Sequence, residues 1–195
     1  MNSWLVTVTC YVISTGQIVW QRQYFVSDPI ILNLAGERVK TQALASSLAH
    51  LDVQGTGIPN HAAWGVAGEG YLVYDSKDRN EVSSYSSLVA GAARLKGLTA
   101  RGKRMLDRRD PLWNRLKVWV DADGTADARK AKLYTMDQLG IASIDIGGPE
   151  IVRVDNGNTI TKEGIFTYTD GRKGCYAAAN LPFEAAVKSS NEKTR

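Results

Sequence analysis

Cysteine and histidine are scarce in this chain, whose 195 residues include two of each. Neither Cys10 nor Cys175 belongs to a C-x-x-C pair, which excludes a thiolate zinc site and a disulfide-rich scaffold. We expect two separate buried thiols, with a single bridge between them as the alternative. His50 and His61 accompany no nucleophile signature, and we expect them to be ordinary surface or core residues.

Long apolar runs and nucleotide-binding motifs are also missing. No apolar run approaches the roughly 20 residues of a membrane helix, and no positive charge precedes the apolar residues near Met1, as a signal peptide would require. We therefore expect no membrane insertion, and either a cytoplasmic protein or one exported by a signal-independent route. The sequence contains no G-x-S-x-G motif, P-loop or dinucleotide fingerprint, so none of those enzyme classes is indicated.

Glycine, tryptophan and tyrosine are plentiful, with 18 glycines, 5 tryptophans and 8 tyrosines against 5 prolines and 3 phenylalanines. This composition favours turns and half-buried strands over a helix bundle. It predicts a hairpin from residues 4–13 and 17–26, a strand at 30–34, and a closing hairpin from 158–169 and 175–183.

Helical spacing of apolar residues predicts helices at 84–105 and 135–140, and Asp110 followed by Pro111 predicts a short helix start. We therefore expect an α+β fold of short strands and hairpins, EF-hand-like loops and two or three short helices. The predicted organisation is an N-terminal hairpin at 1–27, one domain at 28–187 and a frayed tail at 188–195.

The positive charge is concentrated in residues 94–117, which carry nine basic and two acidic side chains, a net charge of +7 within a chain of +4. This basic segment could dock an acidic protein partner. The alternative is a solvated helix face or loop. No nucleic-acid-binding motif accompanies the charge, so nucleic acid is not an expected partner.

Residues 121–127 carry oxygen-bearing side chains at every second position, as calcium loops do: Asp121, Asp123, Thr125 and Asp127. The same register places Arg129 and Lys132 where two oxygen ligands are expected. A solvated aspartate cluster is therefore the alternative to a calcium site.

Three further loops retain part of the same pattern. Each begins with an oxygen ligand and loses most of the acidic positions that follow, and their first residues are Asn33, Asp52 and Asp75. Four loops that depart in the same manner indicate a calcium-loop scaffold that has lost its ions.

Taken together, these residues resemble the self-processing module of RTX (repeat-in-toxin) proteins. The resemblance covers roughly residues 28–183, and its spacing is unbroken across the first motifs. The family pattern D-P-L-V-L-D-L-D-G-D-G-I-E-T matches residues 28–41, and the later matches are F-D-L-D-G-D-G-F at 51–58, a tryptophan at Trp64, G-L-L-V-Y-D at 70–75, L-R-V-W-x-D-A-N-G-D-G at 116–126, L-x-E-L-G-I-A-S-I at 136–144, and the closing hairpin with Phe166 and 169–171.

This resemblance implies a calcium-triggered, autocatalytic break of the Asp28–Pro29 bond. The Asp28 carboxylate can attack its own backbone carbonyl to close a five-membered anhydride, with the proline nitrogen as leaving group. Water or a lysine amine then opens the anhydride, and lysine gives an Asp-Lys isopeptide cross-link. An isolated Asp-Pro pair is also compatible with a simple strand-entry turn, as Asp110–Pro111 is with a helix start.

The departures from the family pattern concern calcium. Lys77, Arg79, Arg129 and Lys132 introduce positive charge where a dication would lie, which weakens binding. We expect no cofactor, or weakly bound calcium, at the candidate ligands, which we expect to be vacant: Asp121, Asp123, Asp127, Asp52 and Asp75. Two functions remain open: cleavage at Asp28–Pro29 with weakened or lost calcium dependence, or a catalytically silent, calcium-independent module that uses the basic segment.

Overall fold

The computed structural model describes residues 4–82, 84–99 and 103–184, and these are predominantly β-structure. They contain one α-helix, α1 (Gly91–Gly97), and fifteen strands. The strands are β1 (Trp4–Tyr11), β2 (Ile18–Ser27), β3 (Ile30–Asn33), β4 (Thr41–Gln42), β5 (His50–Leu51), β6 (Asn60–His61), β7 (Trp64–Gly65), β8 (Gly70–Tyr74), β9 (Met105–Asp107), β10 (Leu116–Val120), β11 (Lys132–Thr135), β12 (Ile141–Asp145), β13 (Glu150–Asp155), β14 (Asn158–Tyr168) and β15 (Lys173–Phe183).

One antiparallel sheet dominates the fold, with the strand order β11-β10-β8-β3-β15-β14-β12-β9. The long strand β15 is central to it, because β14 pairs with β15 along one edge while β3 and β2 follow one another along the other. Ala178 pairs with Ile30 of β3, and Leu181 pairs with Ser27 of β2. The Asp28–Pro29 bond therefore lies at the junction of β2 and β3, which both pair with β15.

Apolar side chains cover both faces of this sheet. In β3, Ile31 packs into one buried cluster with Trp64 and Trp119, whereas Ile30 and Leu32 pack into a second cluster on the opposite face. Successive residues of a strand point to opposite faces, so a strand buried on both sides becomes apolar throughout. The apolar run at 30–32 is explained by the burial of β3 on both faces.

The expectation of an α+β fold with two or three helices is wrong. Of the helix predicted at 84–105, the described residues form only α1, preceded by a 3₁₀ turn at Tyr85–Ser87. Leu88 and Ala90 instead form β-bridges, to Val73 and Pro29 respectively. Pairing with strands outweighs helix propensity here, which is a weak preference that tertiary contacts override.

The other two predicted helices are single turns. Trp113–Arg115 forms a 3₁₀ turn. At the second, the Thr135 and Gln138 side chains each accept the other residue's backbone N–H, at 3.1 and 2.8 Å. Gly140 then adopts a φ of +67°, which favours glycine and ends the turn.

The predicted N-terminal and closing hairpins are present as β1–β2 and β14–β15. Cys10 and Cys175 are free thiols, as favoured, but both are half-buried rather than buried. No described helix has the length and apolarity needed to cross a membrane. The predicted tail at 188–195 lies outside the described residues.

Candidate active site

The Asp28–Pro29 bond is held by β15 on one side. Ser27 Oγ donates a hydrogen bond to the Leu181 carbonyl at 3.2 Å. The Ala179 N–H donates to the Pro29 carbonyl at 3.3 Å. The residues on both sides of the bond are thus attached to the same strand.

Residues 89–91 hold the bond from the other side. The Ile30 N–H donates to the Val89 carbonyl at 3.0 Å, and the Gly91 N–H donates to the Asp28 carbonyl at 2.6 Å. The Asp28 carbonyl carbon is the atom that an attacking carboxylate would reach. Its oxygen therefore already has a backbone donor, of the type that stabilises a developing negative charge.

The Asp28 side chain is buried, with 8% of the residue exposed. The Asp28 N–H donates to Tyr85 Oη at 2.7 Å, and the Tyr85 hydroxyl donates to Asp28 Oδ1 at 3.4 Å. Burial raises the pKa of the Asp28 carboxyl to about 6, although the hydrogen bond from Tyr85 opposes this rise. An appreciable fraction of Asp28 therefore keeps its proton near neutral pH.

Gly91 gives the Asp28 carboxyl room. Its φ is +73°, and a Cβ at this position would collide with Asp28 Oδ2. Any side chain here would combine an unfavourable backbone conformation with a steric clash.

Sequence reasoning identified Asp28 and Pro29 but missed Tyr85 and Gly91. Both lie in the stretch assigned to a helix, where a tyrosine and a glycine carry no signal of their own.

The loop that begins at Asp75 contains an ammonium group. Lys117 Nζ lies 2.8 Å from Asp75 Oδ2, 3.2 Å from Asp78 Oδ1 and 3.3 Å from Asn80 Oδ1. Burial opposes ionisation of Asp75, but Lys117 and the backbone N–H groups of Asn80 and Arg79 outweigh it and lower its pKa to about 2. The cation comes from β10, whereas the sequence suggested Lys77 or Arg79 within the loop.

The loop that begins at Asp121 is closed by hydrogen bonds and surface ion pairs. Asp121 accepts the Trp64 indole N–H at 2.8 Å and two backbone N–H groups of its own loop. The carboxylates of Asp123 and Asp127 pair with Lys130 at 3.0 Å and with Arg129 at 2.9 Å. Lys132 instead lies in β11, opposite Val120.

The remaining two loops also satisfy their own oxygen atoms. The two carboxylate oxygens of Asp52 accept the N–H groups of Thr56 and Gly57, at 2.9 and 2.8 Å. Asn33 Oδ1 accepts the Glu37 N–H at 3.0 Å, and Glu37 pairs with Lys40 at 2.7 Å.

These donor sets do not fit calcium. Ammonium or guanidinium groups contact acidic side chains in three of the loops, and backbone donors engage both oxygens of Asp52 in the fourth. Within the described ranges, no three His, Cys, Asp or Glu side chains are grouped closely enough to hold a metal ion. Asp52 and Asp127 do line a common pocket of about 640 Å³, but Arg129 and Lys130 line it too.

The basic segment at 94–117 is partly neutralised by the fold. Lys103 pairs with Asp110 at 2.8 Å and Arg109 with Asp107 at 2.6 Å. Arg115 pairs with Asp78 at 3.4 Å, and Lys117 is buried. Arg101 lies outside the described residues.

The two histidines lie together. His50 and His61 face one another in β5 and β6, and their rings stack with centroids 5.3 Å apart. His61 Nε2 lies 2.9 Å from the Ser47 carbonyl oxygen. Their contacts are those of structural residues.

Comparison with known proteins places the chain in a family. The family model of the SPM domain matches residues 30–182, beginning immediately after Pro29. The chain is also similar to the iron-regulated protein FrpA of Neisseria meningitidis serogroup C, with 29% identity over 164 residues. That alignment covers 76% of this chain and 15% of FrpA, so the chain corresponds to a small part of its relative. From the family match over most of its length, the chain belongs to the self-processing modules of RTX proteins.

Proposed function

We propose that this module cleaves its own Asp28–Pro29 bond through an aspartic anhydride, without needing calcium. The observation that carries the proposal is the arrangement of Asp28: its carboxyl is buried, and its backbone carbonyl accepts the Gly91 N–H at 2.6 Å. The carbonyl carbon to be attacked and the attacking carboxyl thus belong to the same residue, and the N–H group that binds the carbonyl oxygen lies next to them.

The chemistry needs no external reactant. The protonated Asp28 carboxyl transfers its proton to the Pro29 nitrogen, and a carboxyl oxygen bonds to the Asp28 carbonyl carbon. The C–N bond then breaks, leaving a cyclic anhydride on residue 28 and a secondary amine on Pro29. The Gly91 N–H stabilises the oxygen that carries negative charge during attack.

The raised pKa of Asp28 serves the proton transfer. A carboxyl with a pKa of about 6 retains a proton closer to neutral pH than an ordinary aspartate does. The carboxylate left by the transfer is the nucleophile, so one residue supplies both the acid and the attacking oxygen.

Two products can follow from the anhydride. Water opens it to leave Asp28 as a free C terminus, whereas a lysine amine forms the Asp-Lys cross-link. In the intact chain residues 25–27 pair with 181–183, and the Phe25 and Phe183 rings stack with centroids 5.6 Å apart. These contacts would keep the anhydride on residue 28 beside β15, so the product depends on whether water or a lysine amine reaches it there.

The independence from calcium rests on the loops. The family resemblance implies a calcium trigger, in which the ion would supply the charge that draws acidic loops together. Here Lys117, Lys130, Arg129 and Lys40 contact the loop carboxylates directly.

The test is intact-mass measurement after incubation at pH 7, in chelator and in millimolar calcium. We expect loss of the first 28 residues and a new fragment that begins at Pro29, at similar rates in both conditions. Asp28→Asn should stay intact, because a carboxamide is a poor nucleophile and has no carboxyl proton to transfer.

The Asp110–Pro111 bond provides an internal control. The Asp110 carboxylate is held by Lys103 and by the Asp107 N–H, so no fragment beginning at Pro111 should form. A wild-type chain that remains intact for days in both conditions would contradict the proposal and favour the catalytically silent interaction module.

A further inference from the structure

We infer that Tyr85 is the positioning residue for this cleavage, an inference that rests on the proposed function. Its hydroxyl contacts the backbone and the side chain of the same residue: it accepts the Asp28 N–H at 2.7 Å and donates to Oδ1 at 3.4 Å. Ring closure requires the Asp28 carboxyl to lie over the Asp28 carbonyl. A group fixed to both parts of Asp28 restricts the rotations that separate them.

Tyr85 is itself held rigidly. It is 2% exposed, and its N–H donates to the Asp52 carbonyl at 3.1 Å, while its carbonyl accepts the Leu88 N–H at 2.9 Å. Burial and the neighbouring Asp28 raise the pKa of the Tyr85 hydroxyl above its usual range, so it remains a hydrogen-bond donor at neutral pH. The residue connects the loop at 52–57 with the bond to be cleaved.

This connection gives the 52–57 loop a role that does not require an ion. Asp52 closes the loop through Thr56 and Gly57, and the Asp52 carbonyl receives the Tyr85 N–H. The Tyr85 backbone is therefore attached to a loop that is closed by its own hydrogen bonds. Tyr85 thus links the position of that ordered loop to the position of Asp28.

The experiment compares Tyr85→Phe with Tyr176→Phe. Tyr176 is a suitable control because it is also fully buried and its hydroxyl donates one hydrogen bond, to the Asp145 carbonyl at 2.7 Å, with no contact to Asp28. We expect Tyr85→Phe to cleave at least about tenfold more slowly than wild type, and Tyr176→Phe to stay within about threefold. Urea unfolding of both variants confirms that rates are compared between folded proteins.

The pH profile separates positioning from a general loss of stability. The Tyr85 hydrogen bond lowers the pKa of Asp28, so Tyr85→Phe should move the fall in cleavage rate to higher pH. A merely structural role would leave that profile in place, as we expect for Tyr176→Phe.

The outcomes distinguish the two proposals. If wild type stays intact, the proposed function fails and the inference fails with it. If wild type cleaves and Tyr85→Phe cleaves at the same rate with the same pH profile, the inference alone is overturned. A slower rate with a shifted profile supports the role of Tyr85.

Discussion

Asp28 and Asp75 are both buried aspartates, yet the fold shifts their pKa values in opposite directions. Asp28 is 8% exposed and Asp75 is 7% exposed. Burial raises the pKa of Asp28 to about 6, whereas burial opposed by Lys117 and two backbone donors leaves the pKa of Asp75 at about 2. Similar solvent exposure thus accompanies a raised pKa in one place and a lowered pKa in the other.

Part of this difference lies in the charge of the neighbours. Lys117 Nζ lies 2.8 Å from Asp75, whereas the groups described around Asp28 are the neutral Tyr85 hydroxyl and backbone amides. A cation next to Asp28 would remove the proton that the leaving nitrogen needs. The module therefore places cations against its loop carboxylates and neutral groups against Asp28.

The largest effect is expected from removing the cation of the Asp75 loop. Lys117→Met leaves a buried carboxylate without its partner, which should lower the free energy of unfolding by about 3–5 kcal/mol. Urea unfolding at pH 7 measures it. Lys130→Met is the control, because Lys130 and Asp123 are 65% and 46% exposed, and such a surface pair contributes at most about 1 kcal/mol. Equal losses in the two variants would refute the assignment of Lys117 as the loop cation.

Gly91→Ala should affect both stability and cleavage. The positive φ and the clash with Asp28 Oδ2 should lower the free energy of unfolding by about 1–3 kcal/mol and displace the carboxyl from its carbonyl. Gly171→Ala is a matched control, because its φ is +86° but an added Cβ would meet no atom within 4 Å. Unfolding and cleavage rates are measured together. Comparable cleavage in the two variants would contradict the proposed importance of space at Gly91.

The two aspartates should give stability opposite dependences on pH. Asp28 has a raised pKa, so the folded state binds the extra proton and stability falls as pH rises from about 4 to about 6. Asp75 has a lowered pKa, so stability rises between about pH 2 and 4. Each contribution is on the order of 2 kcal/mol. Other carboxyls contribute as well, because the pKa values of Asp107 and Asp123 are also lowered and that of Glu69 is also raised. Urea unfolding from pH 2 to 8 should therefore show a smaller fall in Asp28→Asn and a smaller rise in Asp75→Asn than in wild type; an unchanged profile in either variant would contradict its assignment.

Calcium should have the smallest effect. Because the loop carboxylates already contact ammonium, guanidinium or backbone N–H groups, replacing chelator by millimolar calcium should move the melting temperature by less than about 2 °C. A circular-dichroism melt measures this. Cooperative unfolding that appears only with calcium would restore an ion-dependent fold.

The strands were more predictable than the helices for a physical reason. Hairpins at 4–26 and 158–183 carry alternating β-branched and aromatic residues with glycine-containing turns between them, which are local signals. The stretch at 84–105 has helical spacing, but its first part pairs with β3 and β8, contacts that depend on distant residues.

The same distinction applies to the site. Asp28 and Pro29 are adjacent in sequence, so the chemistry proposed for them could be formulated from the residue pair and the family resemblance. Tyr85 lies 57 residues from Asp28, and Lys117 lies 42 residues from Asp75. Their roles come from the order of strands around β15 and β8, which no local pattern reveals.

The most direct test of the account is the rate of Asp28–Pro29 cleavage in chelator from pH 5.5 to 7.5. The groups described in contact with Asp28 are the Tyr85 hydroxyl, whose pKa is raised further above this range, and the Gly91 N–H, so Asp28 itself should set the profile. With a pKa of about 6, we predict a fragment beginning at Pro29 that forms roughly tenfold or more slowly at pH 7.5 than at pH 5.5. A chain that stays intact across this range, or that cleaves only after calcium is added, would contradict the account.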